Sequence, residues 1–219
     1  MSRSGRGAGT PRPRASTSAV SGAARSSEVE LFPSELRRPD PPPARSPRVA
    51  ETVGVARRIL EAEGAAALTM RRLADEMGIQ APSLYKHFAC KGHLESALVE
   101  DALFDIGDAT HRVLHERSRE GALLSLVSTY RAHCRSYPNL YRLATGGPLL
   151  RDSLPEGLEE WAGNPWFVVT GDASLAQALW SFAHGMLILE LDDRHPPRSD
   201  LDATWRAGAT AFARMAHTR

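Results

Sequence analysis

Residues 68–91, LTMRRLADEMGIQAPSLYKHFACK, restrict this chain more than any other stretch. Two short helical patterns lie there with a turn between them. In the first, Leu73, Ala74 and Met77 recur at helical spacing and form an inner face. The Thr69 hydroxyl can take a backbone N–H left free at the start of that helix. Gly78 supplies the left-handed or tight-turn conformation that stops it. Pro82 suits the first turn of a second helix, where a missing N–H costs little. Leu84 and Phe88, four apart, share a face, which leaves Ser83, Lys86 and His87 outside. Helix, short turn, short helix with a polar and basic outer surface is the geometry of a helix-turn-helix.

The remaining patterns are helical too. Val49 to Glu63 has an inner face of Val53, Ala56, Ile59 and Leu60 and would brace the two helices after it. Lys91 to about Arg117 reads as a long linking helix, followed by Glu120–Tyr137 and a short helix at Asn139–Thr145. Residues 148–173 are less regular: a short helix is expected around Pro155–Trp161 and then a loop, with Phe167–Thr170 as loop or helical continuation. Ser174–Glu190 and Leu201–Met215 close the chain as helices. The fold class expected is all-α, a three-helix helix-turn-helix head plus a larger helical body. The boundaries expected are 1–48 for a disordered Pro/Arg/Ser-rich tail, 49–90 for the head and 91–219 for the body. Eight of the fifteen prolines fall in residues 1–48, a composition that cannot easily offset its ordering entropy.

Charge divides along the same lines. Residues 1–48 hold nine Arg and four acids, and residues 57–91 hold six Arg or Lys and four acids. Residues 92–219 hold twelve Arg and seventeen acids. A basic front and an acidic back fit a polyanion-facing end on a separate body. Two cysteines, Cys90 and Cys134, make no disulfide framework and no metal cluster, so neither metal nor cofactor is expected. No transmembrane-length apolar stretch and no signal-like segment is present, so the expected location is the cytoplasm, on the nucleoid when DNA is bound.

The head resembles the TetR family of bacterial transcriptional regulators over about residues 50–95. The residues that carry the resemblance are Leu68, Thr69, Arg72–Leu73–Ala74 or its Arg71 neighbour, Gly78–Ile79, Leu84–Tyr85–Lys86–His87–Phe88, and Lys91 with Leu94. Gln80–Ala81 departs from the small polar residue that often starts the second helix. In the body, Trp180, His184–Gly185 and Leu189–Glu190 are similar to the subgroup with a Trp/His/Gly-containing C-terminal domain. The resemblance implies a homodimer, an effector pocket in the body and no enzymatic activity. The expected partners are thus a double-stranded DNA operator, a small-molecule effector and a second copy of the chain, with no membrane.

With the second helix in a major groove, Arg71, Gln80, Ala81, Pro82, Ser83, Tyr85 and Lys86 are the candidates for reading bases. Thr69, His87 and Lys91 are the candidates for phosphates. Gln80 can equally be a plain cap, and Arg71 and Arg72 can both face water. In the body, Tyr130, His133, Cys134, Tyr137, Tyr141, Trp161, Trp166, Phe167, Trp180 and His184 combine aromatic surface with sparse polar groups, the makeup of a small-molecule pocket and also of a core. Leu179, Phe182, Met186, Trp205, Gly208, Ala209 and Phe212 on the last two helices are the candidates for the dimer interface. His133 and Cys134 are adjacent and point apart on a helix, and no Gly-rich phosphate loop or nucleophile motif accompanies them, which argues against catalysis. The expected function is a ligand-released repressor on a palindromic operator. An activator, or an effector-independent structural DNA-binding protein, stands as the alternative.

Overall fold

Apolar residues at helical spacing recur from Val49 to the last helix, and the architecture follows from them. The computed structural model describes residues 36–40, 44–115, 118–147 and 151–217. Its regular elements are all helical: α1 (Pro47–Glu63), α2 (Met70–Glu76), α3 (Ala81–Leu84), α4 (Lys91–His111), α5 (Arg119–Ser136), α6 (Pro138–Thr145), α7 (Leu158–Thr170), α8 (Ala173–Leu191) and α9 (Leu201–His217). Short 3-10 turns occupy Arg112–His115 and Arg151–Ser153.

Helices α1 to α3 form the head around Val53, Ala56, Ile59, Leu60, Leu73, Leu84 and Phe88. Leu94 and Leu98 of α4 and Leu140 of α6 complete that core, so head and body share apolar packing. Thr69 Oγ1 accepts from Arg72 N at 3.0 Å and caps α2. Gly78 sits at φ +63°, the left-handed conformation that the turn requires. Arg72 ties α2 to the end of α1 through Glu63 at 2.7 Å and also pairs with Glu76 at 2.7 Å. The α-helical part of the second helix is shorter than the 81–88 expected. The N–H groups of His87 and Phe88 both donate to Leu84 O at 2.9 Å, which tightens the last turn.

The contact between α4 and α7 is built on Gly107. A Cβ there would lie 2.2 Å from a ring carbon of Trp161, so the glycine lets the indole rest against the backbone. His111 stacks on the same indole, with ring centroids 4.8 Å apart. The α7 helix runs on through Pro165, where a loop was expected after Trp161. Pro165 has no N–H for the Trp161 carbonyl four residues back. His111 Nε2 bonds that carbonyl instead, at 2.9 Å, which puts the ring proton on Nε2. The α4 helix stops at His111, short of Arg117, and gives way to the 3-10 turn.

The main body core joins α5, α7, α8 and α9 through Leu123, Leu126, Val127, Val169, Leu179 and Trp205. Arg131 binds Glu190 at 2.8 Å and Asp202 at 2.6 Å, and Trp205 Nε1 donates to Glu190 at 2.8 Å. Burial acts to raise the Glu190 carboxyl, but the hydrogen bonds from Arg131 and Trp205 outweigh it and hold the group below its ordinary value. Three residues expected at a dimer interface, Leu179, Trp205 and Ala209, are buried in this intrachain core instead. Apolar periodicity marks what is covered, not which chain covers it. Phe182, Met186, Gly208 and Phe212 keep partial exposure, and the Phe182 ring lies where a Cβ on Gly208 would fall.

Within the stretch expected as a disordered tail, Leu36, Arg38 and Arg45 make contacts with α4 and α7. Leu36 packs on the cluster of Phe104, Leu158 and Trp161. The Arg38 guanidinium pairs with Asp108 at 2.8 Å and sits 4.7 Å from the Phe104 ring centroid. Arg45 pairs with Asp101 at 2.8 Å and Glu100 at 3.1 Å. Acidic residues far along the sequence supply these partners, so local composition does not reveal them. The rest of the expected tail, residues 1–35 and 41–43, lies outside the described residues.

Candidate functional site

The outer surface of the head is set by three short elements. Thr69 N-caps α2, Gly78 turns the chain, and Gln80 precedes α3 without making a side-chain cap. Arg71, Gln80, Pro82, Tyr85, Lys86 and His87 are exposed together on this side, and Ala81 and Ser83 are half-buried. Arg72 is engaged with its two glutamates, whereas Arg71 has no partner among the described residues. Thr69 uses an oxygen lone pair as cap acceptor, so its hydroxyl hydrogen stays available. Lys91 Nζ donates to Ala65 O at 3.1 Å and pairs with Glu95 at 3.2 Å, which fastens α4 to the loop after α1.

The body holds a cavity of about 810 Å³ walled by α4, α5, α6, α7 and α8. Eight of the sequence-derived candidates line it: Tyr130, His133, Cys134, Tyr137, Tyr141, Trp166, Trp180 and His184. Trp161 and Phe167 do not. Trp161 is taken up by Gly107, Phe104 and His111, and Phe167 packs on the body core. Arg151, Glu159, Glu160 and Gln177 also line the cavity and were not foreseen. Helical spacing carries a signal for one of them, because Gln177 lies three residues before Trp180 and seven before His184 on α8.

Inside, Tyr130 OH and Tyr141 OH are 2.8 Å apart, and Tyr141 OH is 2.5 Å from His184 Nδ1. Burial pushes both tyrosine hydroxyls up, and the Cys134 thiol up to about 12. Burial lowers His184, and it is also the leading cause of the lowering at His133. Each imidazole thus binds fewer protons folded than unfolded. Their share of stability is fully present above the ordinary imidazole value of about 6.5 and is lost as pH falls through it. The thermal midpoint is expected to drop between pH 7.5 and 5.5, and a His133→Phe/His184→Phe variant should flatten that segment of the profile. An unchanged slope in the variant would refute the assignment.

Among the described residues no group of three His, Cys, Asp or Glu is placed to hold a metal ion, and no helix is long and apolar enough to cross a membrane. Cys90 is exposed and Cys134 buried, both as free thiols.

The α1 and α6 helices meet at Glu61. Its carboxylate accepts from Leu140 N at 2.8 Å and Asn139 N at 3.3 Å, and Asn139 Nδ2 donates back to Glu61 O at 3.1 Å. Pro138 opens α6 and no residue of α6 or its own N-cap supplies a side-chain cap, so the head provides one. On the other side, Leu140, Tyr141, Ala144 and Thr145 of α6 face the cavity.

Residues 53–98 match the family model for bacterial regulatory proteins of the tetR family. Over 142 residues the chain is 31% identical to the uncharacterized HTH-type transcriptional regulator Rv0681 of Mycobacterium tuberculosis, covering 60% of this chain and 65% of that one. Over 139 residues it is 30% identical to the HTH-type transcriptional repressor DrrR1 of Streptomyces coeruleorubidus, covering 60% of this chain and 48% of that one. The chain thus spans 65% and 48% of the length of these two curated relatives. In fold it is similar to the crystal structure of a possible TetR family transcriptional regulator from Streptomyces coelicolor A3(2), with a TM-score of 0.59 and 20% identity over 78% of this chain and 98% of that chain.

Proposed function

We propose that the chain is a ligand-responsive repressor that binds a palindromic operator as a homodimer; the match of residues 53–98 to the family model for bacterial regulatory proteins of the tetR family supports the DNA-binding half of this reading. The observation that carries the ligand half of this reading is the cavity of about 810 Å³, whose α6 wall is capped by Glu61 of the head. A constitutive DNA-binding protein has no need of such a cavity. The DrrR1 relative is a repressor, which supports that direction of control.

In this reading the exposed side of the head enters the major groove, with Arg71, Gln80, Ala81, Pro82, Ser83, Tyr85 and Lys86 toward bases. Thr69 and His87 reach phosphates, and Lys91 does so only by giving up its bond to Ala65 O. Two heads roughly 34–36 Å apart meet two half-sites one duplex turn apart. Phe182, Met186, Gly208 and Phe212 are the remaining face for the second copy. An effector that binds better to a state with differently spaced heads lowers operator affinity by its differential affinity for that state. Operator titration with and without saturating effector tests this, and unchanged affinity would overturn it.

Arg71→Ala and Tyr85→Ala are each expected to weaken cognate binding by about 1–3 kcal/mol while hardly affecting a scrambled duplex of equal length. Gel-shift titration on both duplexes gives the comparison. Equal loss on both would move the residue from base reading to phosphate contact.

A further inference from the structure

We propose that the body cavity takes an uncharged aromatic or polycyclic molecule that presents a carbonyl-type acceptor to His184; this rests on the sensor reading above. Tyr130, Tyr141 and His184 form a chain with separations of 2.8 and 2.5 Å. A phenol O–H is a better donor than a neutral imidazole N–H, and an imidazole nitrogen is a better acceptor than a phenol oxygen. Tyr141 therefore donates to Nδ1 and accepts from Tyr130, which places the ring proton of His184 on Nε2. No described residue accepts from Nε2, and it is not an enclosed orphan either. The chain ends in one N–H donor on a residue that lines the cavity.

Most of the remaining lining is aromatic or aliphatic and uncharged. Trp180 stacks on the His184 ring with centroids 5.6 Å apart, and Trp166 meets Tyr130 edge to face at 5.0 Å. Burial keeps the Cys134 thiol, both tyrosines and His184 in their uncharged forms. The charged lining residues are Arg151, Glu159 and Glu160: Arg151 and Glu160 are exposed, and Arg151 is already paired with Glu159 at 2.6 Å. A ligand charge set against the Tyr130–Tyr141–His184 chain meets no counterion within that chain and loses its hydration. A carbonyl meets a donor that otherwise lacks a partner.

The test uses the full chain and four matched probes in equilibrium dialysis, with tryptophan quenching as a second readout. The probes are 9-fluorenone, fluorene (which lacks the carbonyl), fluorene-9-carboxylate and fluoren-9-yltrimethylammonium. Fluorenone is expected to bind at least about tenfold tighter than each of the others, the worth of one buried hydrogen bond or the cost of one unpaired charge. His184→Phe should reduce fluorenone to the level of fluorene. Tyr141→Phe, which keeps the wall but frees the imidazole tautomer, should shrink the same preference part way. Equal binding of fluorene, equal or tighter binding of either ion, a preference that survives His184→Phe, or no binding by any probe would each overturn the assignment. Fluorenone that binds as stated yet leaves operator affinity unchanged would overturn the sensor reading alone.

Discussion

Gly107→Ala is expected to destabilise the protein by about 3 kcal/mol, at the upper end of overpacking costs. The added methyl would fall 2.2 to 2.9 Å from three carbons of the Trp161 ring. That ring has little freedom to yield. His111 stacks on one side at 4.8 Å, Phe104 lies 6.0 Å away, and the Arg38 guanidinium sits 5.4 Å from it. Either α4 backs away from α7 or the indole leaves its rotamer, and both disturb the wall that carries Leu103 and Ile106 into the cavity. Gly54 makes the contrast. It is exposed in the interior of α1, with nothing within 4 Å of a Cβ. Gly54→Ala is therefore expected to stabilise by about 0.5–1 kcal/mol, the helix-propensity gain alone. Urea denaturation of the two variants gives opposite signs if α4 and α7 touch as described. A Gly107→Ala protein as stable as the parent would refute the contact.

On the repressor reading proposed above, Glu61→Ala is expected to uncouple the cavity from the head. Two backbone N–H groups at the start of α6 lose their acceptor, and the positive end of that helix loses its carboxylate. The stability cost should be about 1–2 kcal/mol, in the range of an N-cap loss. The functional cost should be larger: the drop in operator affinity caused by saturating effector shrinks by about tenfold, within the usual range of allosteric coupling. Effector affinity in the absence of DNA stays near the parent value, because Glu61 does not line the cavity. Glu61→Gln, which keeps an acceptor oxygen, should lie between. Full release by effector in Glu61→Ala would mean that α4 alone carries the signal.

The head was legible because its determinants are local. Thr69 caps a helix that starts one residue later, Gly78 takes its left-handed φ within a single turn, and Leu84 and Phe88 face the core at helical spacing. The parts that escaped are those in which a partner lies far along the chain. The α7 helix survives Pro165 because a histidine 54 residues upstream takes the freed carbonyl. Arg38 and Arg45 are ordinary tail residues until Asp108 and Asp101 are opposite them. Trp161 and Trp166 sit five apart with the same chemistry, yet only Trp166 faces the cavity, since Gly107 makes room for the other. Aromatic composition is the same for a core and for a pocket; the neighbouring helices decide which one forms.

Arg38 and Arg45 of the segment before α1, and Arg57 of α1, grip Asp108, Glu100, Asp101 and Asp105 along one helix, and this makes the packing of that segment and of α1 on α4 sensitive to electrolyte. At physiological ionic strength charges are screened beyond about 8 Å, and higher salt also weakens half-exposed pairs of this kind. On the DNA-binding reading proposed above, the ions that displace the protein from phosphates also loosen the packing on α4. For a rigid protein the slope of log affinity against log salt counts the phosphates neutralised. Here the slope should exceed that count, and the excess should vanish once the four carboxylates of α4 are replaced by their amides.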